Sequence, residues 1–123
     1  MGDFDKHLSI AREKLAALTT AYRNKHHTVV GDLGTKVVEH LIEADAARKN
    51  LHFGRHADSH DYAQKEFSSG INHAMKRIWF GYGDSGYDGV NGKRAKEVVD
   101  NLKRVVSFFE ERFGERIEPE GKP

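Results

Sequence analysis

The stretch AKEVVDNLKRVVSFFEERFG, residues 95–114, decides the fold. Its apolar residues fall at Ala95, Val98, Val99, Leu102, Val105, Val106, Phe109 and Phe113. Steps of three and four put them along one side of an α-helix. Gly114 follows the last of them, where a helix commonly ends in the left-handed conformation. The same periodicity recurs upstream. Phe4, Leu8, Ala11, Leu15, Leu18 and Tyr22 define a first helix, with Asp3 or Asp5 as its cap. Residues 23–27 are too polar for a core and read as a turn. Val30, Leu33, Val37, Leu41 and Ala44, widened by Val38 and Ile42, predict a central helix buried on two sides. Gly31 and Gly34 near its start would let a neighbour approach closely, and Asn50 and Gly54 are its plausible stops.

A third helix is expected to start after Asp58 or Ser59, with Ala63, Phe67, Ile71, Ala74 and Ile78 inward. Ser68-Ser69-Gly70 weakens its middle and predicts a kink or a close helix contact. Residues 81–92 hold five glycines and read as a loop. Both prolines lie in the last five residues, so nothing upstream breaks a long helix by that route. The expected fold is all-α, an up-down antiparallel four-helix bundle over residues 1–114, with a polar, flexible tail at 115–123.

Composition narrows the function. The chain has 123 residues, which suits one domain with a small core. A net charge of +1 creates no global field, so any anion site must be a local patch. The absence of cysteine removes disulfides, thiolate metal sites and thiol catalysis. No apolar run reaches the roughly 20 residues of a membrane span. The acidic start Met1-Gly2-Asp3-Phe4-Asp5 lacks a signal peptide's apolar core, so a cytoplasmic location is expected.

Four constellations carry possible chemistry. In Arg55-His56-Ala57-Asp58-Ser59-His60, a guanidinium that can grip phosphate precedes an imidazole that can move a proton. Metal-free RNA cleavage needs those functions. Arg55 would stabilise the phosphorane, His60 would act as base or acid, and His56 would assist. The same residue types suit a plain exposed turn in which Asp58 or Ser59 caps a helix. His52, His56 and His60 are spaced by four and, with His40, Glu39 or Glu43, offer a second reading as a metal site. Gly54 and the expected helix start near Asp58 interrupt the helix that this spacing requires, so no metal or other cofactor is assigned. Lys93, Arg94 and Lys96 follow the glycine loop at a helix start, where they can hold phosphate. The stretch Lys76-Arg77-Ile78-Trp79-Phe80-Gly81-Tyr82 interleaves cations with aromatics and suits either stacked bases or core closure.

Three of these features together resemble the HEPN family, small helical bundles of prokaryotic toxin systems and nucleotidyltransferase partners. The opening Ala11-Arg12-Glu13-Lys14-Leu15 is similar to the family's start. Catalytic members carry arginine, a polar residue, three more residues and histidine, the form of residues 55–60 here. Residues 92–110 resemble the last helix of small members. The resemblance implies a homodimer whose paired motifs cut RNA without a metal, with Arg55, His60 and His56 at the cleft. In those ribonucleases the motif comes near the last helices, whereas here two long helices are expected to follow it. A second expectation is therefore a non-catalytic module that partners a nucleotidyltransferase.

Overall fold

A computed structural model describes the backbone of residues 2–53, 56–85 and 93–118, and the side chains of 3–53, 58–79 and 93–118. Those residues form five helices: α1 (Gly2–Arg23), α2 (His27–Ala47), α3 (His56–Glu66), α4 (Ser69–Ser85) and α5 (Lys93–Phe113). No strand occurs among them. None of the helices is long and apolar enough to cross a membrane.

The periodic stripes become the core. Leu8, Ala11, Leu15 and Leu18 of α1 are buried, as are Ala95, Val98, Leu102, Val105, Val106 and Phe109 of α5. Between them α2 is buried on more than one side, through Val30, Val37, Val38, Leu41 and Ile42. It packs against each of the other four helices. Gly34 marks the tightest point. A Cβ placed there would lie 2.6 Å from Val98 Cγ1, and 3.6 Å from both Ile78 Cγ2 and Leu18 Cδ1. Four helices therefore converge on a position that has no side chain. Contacts between α1 and α2 pair early residues with late ones, His7 with His40 and Leu18 with Gly34. Contacts between α2 and α5 keep the chain order, Gly34 with Val98 and Asp45 with Arg112.

One backbone device ends three of the helices. Lys25, Asn50 and Gly114 take φ values of 62°, 61° and 67°. After α1, the His26 N–H donates to Ala21 O and the Lys25 N–H to Tyr22 O. After α2, the Leu51 N–H donates to Ala46 O and the Asn50 N–H to Ala47 O. Both are Schellman closures, which satisfy carbonyls that the helix leaves free. Asn50 and Gly114 suit this conformation. Lys25 adopts it against its own preference.

The expected third helix is two helices. The chain breaks at Phe67-Ser68, where one side chain bridges the end of α3 and the start of α4. The Asn72 side-chain amide donates to Ala63 O, Phe67 O and Ser68 O, at 2.9, 3.1 and 3.1 Å. The Ser68 hydroxyl accepts the Ile71 N–H and so caps α4. Phe67 itself turns inward against Phe108 and Phe109, at ring-centroid distances of 5.4 and 5.2 Å. Gly81 and Gly83, expected in a loop, belong to α4, which runs to Ser85. The residues just after α5 pack back on the helices. Ile117 is buried, and the Glu110 carboxylate accepts the N–H groups of Ile117 and Glu118. Arg12 of α1 reaches Arg116 O and the Glu115 carboxylate.

Candidate functional site

The junction of α2 and α3 is where the sequence concentrates its chemistry. Arg55 lies outside the described residues. His56 opens α3, and its side chain is likewise outside them. His60 sits in the second turn of α3, partly buried, with its ring stacked on Trp79 of α4. The two centroids are 3.9 Å apart and the planes meet at 26°. Trp79 Nε1 is buried and has no hydrogen-bond partner among the described residues. An indole N–H in that state costs about 1–3 kcal/mol in lost hydration. Trp79, in the middle of α4, packs against the core and meets the imidazole of His60.

Lys93, Arg94 and Lys96 occupy the first turn of α5, and all three are exposed. Lys96 pairs with Asp100 at 2.7 Å, and Arg94 lies 3.6 Å from Glu97. Arg77 of α4 reaches the same Glu97 at 2.9 Å and ties the two helices together. Exposed pairs of this kind contribute little, about 0–1 kcal/mol each, so a phosphate can displace their carboxylates.

The histidines gather elsewhere than spacing suggests. His52 stands in the connection before α3, not on a helix face below His56 and His60. It is exposed and lies 3.5 Å from the Asp3 carboxylate. His52 does not share a helix with His56 and His60, because α2 has ended at Ala47 and α3 starts only at His56, the interruption expected around Gly54. Among the described residues, the one group of three potential metal ligands within mutual reach is His7, His40 and Glu43. His7 comes from α1, while His40 and Glu43 share a face of α2 at a spacing of three. The two Nδ1 atoms face each other at 3.1 Å, so one ring is protonated on Nδ1 and donates while the other accepts. Glu43 Oε2 lies 3.9 Å from His40 Nδ1.

Burial, reinforced by His7, Lys14 and Lys36, lowers the His40 pKa from 6.5 to about 4. The folded protein therefore holds His40 neutral where the unfolded chain would protonate it. Its contribution is complete above pH 6.5 and is lost as the pH falls toward 4. The loss should be on the order of 2–3 kcal/mol. Urea melts at pH 7, 5.5 and 4.5 measure it. The wild type should weaken more steeply with acid than His40→Gln, and parallel profiles would refute the assignment.

A third polar cluster is anchored in the interior by Asp45 and Tyr62 and reaches the surface at Arg112 and Glu66. Asp45, 2% exposed, accepts Arg112 Nε at 2.5 Å, Arg112 Nη2 at 3.2 Å and the Tyr62 hydroxyl at 2.7 Å. Glu66 is 3.8 Å from Arg112 and also pairs with Lys49. Burial and the Asp45 carboxylate push the Tyr62 hydroxyl pKa up, so it stays protonated. The Arg112 guanidinium lies 5.0 Å from the Phe67 ring centroid. Each member is already engaged, and the cluster reads as a tie between α2, α3 and α5. Its sequence signal was faint: one aspartate inside the apolar run of α2, and its partner 67 residues away.

Compared with protein-family models, curated proteins and solved structures, the chain matches none.

Proposed function

We propose that the chain is a HEPN-like protein that binds RNA or nucleotide phosphates on the outward faces of α4 and α5, as a homodimer. The carrying observation is a separation of charge. From Ser69 to the end of α5 at Phe113 the chain holds eight Lys and Arg against six Asp and Glu, a net +2 in a chain of net +1, and seven of those cations lie before residue 105. All seven cations, Lys76, Arg77, Lys93, Arg94, Lys96, Lys103 and Arg104, are exposed. A local basic face on a nearly neutral protein suits a polyanion, since most nucleic-acid affinity comes from phosphate contacts. The order of contacts along α1, α2 and α5 supports an up-down four-helix arrangement of the long helices, with α3 as an extra element at one end.

Cleavage is the catalytic extension of this reading: Arg55 holds the scissile phosphate, His60 transfers the proton and His56 assists. One observation favours a binding protein that does not cut, the second reading, as partner of a nucleotidyltransferase. His60 is partly buried and already stacked on Trp79. A single assay separates the two. Fluorescence anisotropy with single-stranded RNA in EDTA should show binding that weakens with salt. Each phosphate contact should add about −0.7 to the slope of log affinity against log salt. Lys93→Gln with Arg94→Gln should flatten that slope by roughly 1 to 1.5. Binding indifferent to salt would end the proposal. If the RNA is cut, and is still cut by Arg55→Ala and His60→Ala, those residues are not the catalysts.

A further inference from the structure

The geometry points to a site for one zinc-like divalent ion, formed by His7 of α1 with His40 and Glu43 of α2. Three independent features carry it. The first is donor chemistry: two imidazoles and a carboxylate make up the protein ligands of many open, three-ligand zinc sites. The second is spacing. Two nitrogens that bind one ion at about 2.0–2.1 Å stand ~3.3 Å apart at a tetrahedral angle and ~2.9 Å apart at a right angle. The observed Nδ1–Nδ1 distance of 3.1 Å lies between these limits. The ligand atoms of all three residues lie within 4.8 Å of one another. Glu43 Oε2, 3.9 Å from His40 Nδ1, has to close by ~0.6 Å on that nitrogen, and on the His7 ligand nitrogen from within 4.8 Å. Glu43 retains 27% of its side-chain exposure, which leaves it room to move.

The third feature is the scaffold. All three residues lie within helices, and α1 and α2 are packed along their length. Ligands on rigid elements are held close to their binding geometry. The hydrogen bond between the two rings is the resting alternative to the ion: one proton occupies the space between the nitrogens, and the ion replaces it. Lys14 and Lys36 lie close enough to act on His40 electrostatically. Two ammonium groups beside a cation lower its affinity below that of a closed structural site and favour an anion or hydroxide in the fourth position. Magnesium and calcium, which need oxygen ligands, should not compete. The site is separate from the basic face of α4 and α5, so it stands or falls apart from RNA binding.

The test uses full-length protein without a histidine tag, stripped with chelator and titrated with Zn²⁺ or Co²⁺ by calorimetry. One ion per chain is expected, with Co²⁺ showing the intense visible bands of a low-coordinate site. His7→Gln and His40→Gln should each weaken binding by ~100-fold, about the share of one ligand in a four-ligand site. Glu43→Gln should weaken it less, and His73→Ala, an exposed histidine on α4, should leave it unchanged. Circular dichroism of each variant confirms folding, and Zn²⁺ should raise the melting temperature of the wild type but not of the His7 or His40 variants. Sub-stoichiometric uptake by the wild type would overturn the site. So would binding that survives all three ligand substitutions.

Discussion

Asp45→Ala is expected to destabilise the protein by about 1–3 kcal/mol, the cost of removing a buried acceptor that three donors share. The carboxylate is 2% exposed and accepts hydrogen bonds from Arg112 Nε, Arg112 Nη2 and the Tyr62 hydroxyl. Its loss leaves the buried Tyr62 hydroxyl without its acceptor and the partly exposed Arg112 guanidinium without its main partner. Glu66, 3.8 Å from Arg112, can recover part of the pairing, which sets the expectation toward the lower end of the range. Chemical denaturation of the variant at neutral pH measures the effect, and a cost below about 1 kcal/mol would show that the tie contributes little. The double substitution Asp45→Leu with Arg112→Met should cost much less than the sum of its parts, because it strands no charge.

Gly34→Val should cost about 3 kcal/mol, the upper end of overpacking in a close-packed interior. The first added carbon alone meets Val98 Cγ1 at 2.6 Å. Val98 is fully buried and β-branched, so it cannot swing away as a long side chain would. Two further methyl groups then press toward Ile78 and Leu18. Gly34→Ala is milder, because alanine gains about 1 kcal/mol of helix propensity against the clash. Pairing Gly34→Ala with Val98→Ala should restore stability by at least about 1 kcal/mol relative to additivity. Simple additivity in that cycle would place the strain somewhere other than the α2–α5 contact.

The helices that depend on local periodicity were legible. α1, α2 and α5 follow stripes that any reading at a 3.6-residue period recovers, and Asn50 and Gly114 mark their ends in the residue types that favour left-handed backbone. The division between α3 and α4 was legible only as weakness. Ser68-Ser69-Gly70 signals a poor helix, but the break depends on the Asn72 amide and on Phe67 turning toward α5, and neither follows from local propensity. The same limit explains the histidines. A spacing of four drew attention to His52, His56 and His60, yet the cluster that forms takes His7 from 33 residues away. Only the His40 and Glu43 half of it had a local signature. Asp45 and Arg112 went unread for the same reason, since their pairing depends on how α2 and α5 lie side by side.

The clasp made by Asn72 has a consequence for His60. Helix α3 is short, it leans mainly on α2 with a lighter contact to α4, and a non-helical step separates it from α4. Opening it would require breaking the tie that Tyr62 and Glu66 make with Asp45 and Arg112, a smaller cost than unfolding the long helices. Such an excursion would uncover His60 and Trp79 together. The reactivity of that imidazole would then be scaled by the fraction of molecules in which α3 is open, a quantity that one asparagine side chain helps to set.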